Sequence, residues 1–76
     1  MRQFDRITSN PAVMSGKPCI RGTRLTVRRV LESVVLYPDR AELKRQFPEL
    51  TDDDIAQALR FAARCVDDEI VDLDAA

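Results

Sequence analysis

Five basic side chains gather between positions 17 and 29 of this 76-residue chain: Lys17, Arg21, Arg24, Arg28 and Arg29. Guanidinium groups present paired, parallel donors and an ammonium is a compact point charge, so such a group is suited to phosphate or carboxylate oxygens. Both glycines of the chain, Gly16 and Gly22, lie in the same stretch, SGKPCIRGTRL. Glycine there either supplies positive φ where the chain turns or lets backbone amides approach an anion closely. The local alternative is that charges on an exposed strand protect its edge, with Arg28 and Arg29 pairing with Glu32 one turn on. Either way, Arg28 and Arg29 call for a negative partner, because the first turn of a helix disfavours cations.

A second constellation sits further along. Asp53, Gln57, Arg60 and Arg64 recur at i, i+4, i+7 and i+11, one polar stripe of a helix. Gln and Arg are the side chains that pair with adenine and guanine edges, so Gln57, Arg60 and Arg64 are candidate base-edge contacts if this helix enters a DNA groove. The alternative is a solvated face on which Arg64 pairs with Asp68. Ala58, Phe61 and Cys65 continue the apolar arc of the same helix beyond what a small core needs. They are candidate partner or oligomer contacts, joined by Ile70, Val71 and Leu73 of the tail.

These residues must be held by few elements. Up to Leu25 helical periodicity is absent: Phe4 to Thr8 alternates weakly, Asn10-Pro11 signals a turn, and Cys19-Ile20-Arg21 is extended. The pattern predicts two short strands forming a β-hairpin or arm over residues 1–25. A lone hairpin is marginal in water and must lean on something else. From Thr26 the period becomes 3.6, with Val27, Val30, Leu31, Val34 and Val35 on one face. Thr26 is the N-cap, Leu25 and Val30 form a hydrophobic staple, and Pro38 stops the helix near Tyr37. Asp39 with Glu42 predicts a capping box for a second helix ending before Pro48. Thr51 caps a third, whose Asp52, Asp53 and Asp54 suit the positive end of its dipole. Leu50 staples onto Ile55, and Ile55, Leu59, Ala62 and Val66 are the expected core stripe, running to about Asp67. Residues 26–67 therefore read as three helices in helix-turn-helix order, and 68–76 as an acidic tail that either orders on a basic partner or frays.

Composition bounds the function. The chain is one domain with a small core. Its net charge of −1 hides an asymmetry: residues 1–30 hold seven basic side chains against Asp5 alone, residues 31–76 five against twelve acidic ones. Such a dipole predicts an anionic partner at one end and a different contact at the other. There is no histidine, hence no imidazole base or His-containing metal site, and no Cys-x-x-Cys, phosphate loop or nucleophile elbow. No catalytic residue, cofactor, metal or small-molecule substrate is expected, and the protein is not expected to be an enzyme. Cys19 and Cys65 read as separate reduced thiols. No apolar stretch is long enough to span a bilayer, and the first ten residues do not form a signal peptide, so a cytoplasmic protein is expected.

Three segments then carry a resemblance. Ile7-Thr8-Ser9-Asn10-Pro11, the run Gly16-Lys17-Pro18-Cys19-Ile20-Arg21-Gly22-Thr23-Arg24-Leu25-Thr26-Val27, and Phe47-Pro48-Glu49-Leu50-Thr51-Asp52-Asp53-Asp54-Ile55 with Ala58-Leu59 resemble the bacterial domain-of-unknown-function family numbered 433. The resemblance spans residues 7 to about 65. It implies a homeodomain-like helix-turn-helix after a small β element. It also implies the antitoxin half of a toxin–antitoxin pair: a homodimer or higher oligomer that binds a PIN-like toxin and, as a transcriptional autoregulator, operator DNA. A protein-binding or oligomerisation module without DNA-binding activity is the alternative.

Overall fold

The computed structural model describes residues 4–67. In chain order it contains β1 (Ile7–Thr8), β2 (Cys19–Ile20), α1 (Val27–Leu36), α2 (Arg40–Gln46) and α3 (Asp52–Asp67). The strands pair antiparallel, with Ile7 opposite Ile20 and Thr8 opposite Cys19. An added bridge from Cys19 to Thr26 carries the ribbon directly into α1. The expected arm followed by three helices is what forms.

Each helix starts where its cap residue stands. Thr26 Oγ1 accepts from Arg29 N at 3.1 Å, and the chain leaves α1 at Tyr37, before Pro38. Asp39 Oδ1 accepts from Ala41 N at 2.9 Å, but the expected capping box is replaced: Glu42 turns along the helix to Arg45 and Gln46. The box forms instead at α3. Asp54 N donates to Thr51 Oγ1 at 3.0 Å while Thr51 N donates to Asp54 Oδ2 at 3.1 Å, so each side chain satisfies the other residue's otherwise orphaned amide.

Seven residues make the core: Ile20, Val27, Val30, Leu43, Leu50, Ile55 and Ala58. Burying each large aliphatic side chain contributes roughly 1.5–3 kcal/mol, and every element except β1 supplies at least one. Leu25, Phe47, Tyr37 and Phe61 pack against its rim.

The expected face of α1 holds, with Val27 and Val30 buried and Leu31 and Val34 packed against the core. The exceptions are that Val35 is 81% exposed and Ser33 is buried, its hydroxyl donating to Val30 O at 2.6 Å. The expected face of α3 rotates. On α3 the buried positions are Asp54, Ile55, Gln57 and Ala58, whereas Leu59 and Val66 of the expected stripe are exposed. The reason is the hairpin. Because β1 lies against α3, polar groups of Asp5 and Arg6 in the segment leading into it close over Asp54 and Gln57, which are buried in place of apolar residues. Among the described residues, no helix is long and apolar enough to cross a membrane.

Candidate anion-binding site

Two turns build the basic site. In the first, Met14, Ser15 and Gly16 all take positive φ, at 49°, 57° and 82°. Such a left-handed run costs about 1–2 kcal/mol for each residue bearing a Cβ. It is held by Asn10, whose Oδ1 accepts from Ala12 N, and by Ser9, whose hydroxyl donates to Gly16 O at 2.6 Å. Lys17 and Pro18 then lead back into β2.

The second turn spans Ile20 to Thr23, closed by Thr23 N donating to Ile20 O at 3.0 Å, with Gly22 at φ 78°. Positive φ at the third position only is the type II pattern, which favours glycine there. Thr23 Oγ1 donates to Ile20 O and accepts from Leu25 N, locking the turn on its far side.

Between the two turns lies a pocket of about 460 Å³. Lys17, Arg21 and Arg24 line it together with Thr8, Asn10 and Thr23. Lys17 comes from one turn and the two arginines flank the glycine of the other. Arg21 is oriented by its Nε, which donates to the Asp5 carbonyl oxygen at 2.6 Å. Cys19, 2% exposed, also lines the pocket. Thus the glycines serve the turns, and the turns bring the cations together.

Among the described residues, most of these charges are not spent on carboxylates. Lys17, Arg21, Arg24 and Arg28 are exposed, and among the described residues none lies within salt-bridge distance of a carboxylate. Arg28 and Arg29 do not pair with Glu32; Arg29 instead lies over the Phe47 ring, 5.6 Å from its centroid. Arg6 is the exception in the basic half. It is paired with Asp54, whose side chain is fully buried. Burial alone would push the Asp54 carboxyl up, but Arg6 and both Thr51 groups outweigh it and hold it below the usual range.

The base-edge set separates. Arg60 and Arg64 are exposed on α3, while Gln57 is 5% exposed and committed inward. Its Nε2 donates to Asp5 Oδ1 at 2.7 Å and Asp53 Oδ2 at 3.0 Å, and its Oε1 accepts from Arg6 N at 2.8 Å. Gln57 therefore has no edge to offer a base, a correction that helical spacing alone could not supply. The partner set also splits. Ala58 is fully buried in the core, and Phe61 is half-buried, stacked edge-on against Phe4 with ring centroids 5.4 Å apart. Cys65 is exposed. Ile70, Val71 and Leu73 lie outside the described residues, as does Asp68. The exposed large apolar side chains on the helices are instead Val35, Leu36, Leu59 and Val66.

Thr8, Asn10 and Thr23 were not recognisable as lining residues. Their only signal was the turn chemistry of Asn10-Pro11 and of Gly22-Thr23, which locates a bend but not a wall.

The family model described as "Protein of unknown function (DUF433)" matches residues 7–62, the span that contains both turns, the pocket and most of the three helices. The chain belongs to the DUF433 family. Neither a curated protein nor a solved structure matches it. In this DUF433 chain the segment Gly16–Val27 is the pocket wall and the entry to α1, so the stretch that carried the resemblance is also the stretch that builds the site.

Proposed function

We propose that this protein is an antitoxin-like regulator, cytoplasmic and oligomeric, that grips the phosphate backbone of operator DNA and holds a cognate PIN-like toxin by a separate surface. One observation carries the reading: Lys17, Arg21 and Arg24 line one pocket and Arg28 is exposed in the first turn of α1, all without a carboxylate partner among the described residues. Exposed cations of one sign, held on rigid turns, favour an external anion over an intramolecular one. Arg60 and Arg64, exposed on the last helix of a helix-turn-helix order, are the base-edge contacts in this reading. The apolar side chains left open on α1 and α3 serve the protein partners.

A second reading keeps the scaffold and drops the DNA. Asp52 and Asp53 are exposed at the N-terminus of α3, the end that a recognition helix turns towards base edges and phosphates. On that reading the basic end engages an acidic protein.

Fluorescence anisotropy with the DNA fragment upstream of its own gene, over a salt series, decides between them. Phosphate contacts give log affinity falling linearly with log salt, at roughly −0.9 per phosphate neutralised. Arg24→Ala is expected to reduce that slope by about one. No association at low salt discards the DNA contact and leaves the protein-binding module.

A further inference from the structure

The pocket is concave, and that shape limits what its three cations can hold. A continuous duplex presents each phosphodiester on the outside of a rod, so its phosphates can meet these exposed cations at the rim, as they can meet Arg28 on α1, and leave the recess itself to a smaller ligand. A recess of about 460 Å³ falls within the roughly 300–1,000 Å³ range of small-ligand sites. Lys17, Arg21 and Arg24 converge on it, whereas a diester carries a single negative charge. A phosphomonoester carries about −1.5 to −2 near neutral pH, with three strong acceptor oxygens, and matches that cation count better. The rest of the lining mixes polar Thr8, Asn10 and Thr23 with apolar Val13 and Cys19, a combination that suits a nucleoside. The Asn10 amide NH2 and the Thr8 hydroxyl make no hydrogen bond among the described residues, while Asn10 Oδ1 is held by Ala12 N.

We infer that this pocket is a binding site for a phosphomonoester of nucleotide size, contributed either by a free mononucleotide or by the 5′ end of a nucleic-acid strand. The inference deepens the anionic reading above and shares its cations, but it does not require duplex binding. Lys17, Arg21 and Arg24 receive the phosphate oxygens; Thr8 and Asn10 face the sugar or base. The positive φ of Gly22 and the left-handed turn at Met14–Gly16 hold the two walls apart.

The test is an amide-shift titration of the isotope-labelled, full-length protein with adenosine 5′-monophosphate, and with adenosine as its uncharged twin. Saturable shifts centred on Lys17 and on residues 21–24 are expected with the monophosphate and none with adenosine. Affinity is expected to rise between about pH 5 and pH 7, as the second phosphate proton leaves near a pKa of about 6. Arg24→Gln, at an exposed position that leaves the fold intact, is expected to weaken binding about tenfold. Arg40→Gln, the same loss of charge on α2, is expected to leave it unchanged. A 5′-phosphorylated oligodeoxynucleotide that outcompetes both its 5′-hydroxyl twin and the mononucleotide assigns the pocket to strand ends. A mononucleotide that binds as well as or better than that strand assigns it to the free ligand. Absence of saturable shifts with the monophosphate, or equal shifts with adenosine, overturns the inference. Duplex association without monophosphate binding sinks the pocket and spares the regulator; monophosphate binding without duplex association does the reverse.

Discussion

Arg6 Nε donates to Asp54 Oδ1 across 2.6 Å, tying the segment before β1 to the first turn of α3 although 48 positions separate them. The same carboxylate accepts from Thr51 N, so one buried side chain both caps the last helix and docks the hairpin. Removing it should therefore act on two elements at once. Asp54→Asn is expected to destabilise the domain by about 2 kcal/mol, the scale of a hydrogen bond to a charged group. That corresponds to a melting temperature about 10 °C lower in a domain of this size, read by thermal denaturation.

The sign of the pH dependence follows from the same pair. The Asp54 carboxyl is depressed in the folded protein, so in acid the unfolded chain takes up its proton first. Its contribution is complete above the unfolded value of about 4 and is lost as pH falls through the lower folded value. Melting curves between about pH 2 and pH 7 should show stability rising with pH across the acid end. In Asp54→Asn that rise should be shallower; an unchanged profile would rule out Asp54 as its source.

Gln57 makes a further link between the amino-terminal segment and α3. Gln57→Ala removes the acceptor of Arg6 N and the donor to Asp5, and is expected to cost about 1–2 kcal/mol. Hydrogen exchange should accelerate first at residues 5–8, with α2 little affected. If DNA binds, this variant should weaken association uniformly across sequences, whereas Arg60→Ala should relax discrimination at one base position.

Gly22 has room but the wrong backbone for any larger residue. Nothing lies within 4 Å of an added Cβ, yet its φ is 78°. Gly22→Ala is expected to cost about 1 kcal/mol from conformation alone, and Gly22→Asn less, since Asn tolerates the left-handed region. Equal losses for Ala and Asn in thermal melts would mean that space, not φ, is limiting.

Val35 and Val66, 81% and 68% exposed, sit on α1 and α3 outside the core. In an oligomer that covers either position, the matching variant, Val35→Asp or Val66→Asp, should shift sedimentation towards the monomer. Their intramolecular packing is slight, so melting of the monomer should change little. A monomeric wild type at micromolar concentration would remove the prediction's basis.

The order of elements was legible because its signals are local. A cap at Thr26, Asp39 and Thr51, a proline at 38 and 48 and a switch from alternation to a 3.6 period each act within one turn of chain. The type II turn at Gly22 was foreshadowed by its glycine for the same reason. Facing was less legible. The apolar wheel of α3 has more candidates than the core has places, and periodicity does not say which neighbour closes which side.

Local chemistry in the chain by itself therefore determined where strands and helices begin and end, and that its cations gather at one end. Tertiary structure alone decided that Arg6 is spent on Asp54, that Gln57 turns inward, and that Lys17, Arg21 and Arg24 surround one recess. The physical reason is range. Caps and turns act over three or four residues. Burial and ion pairing depend on which distant segment arrives opposite, and here β1 arrives against α3.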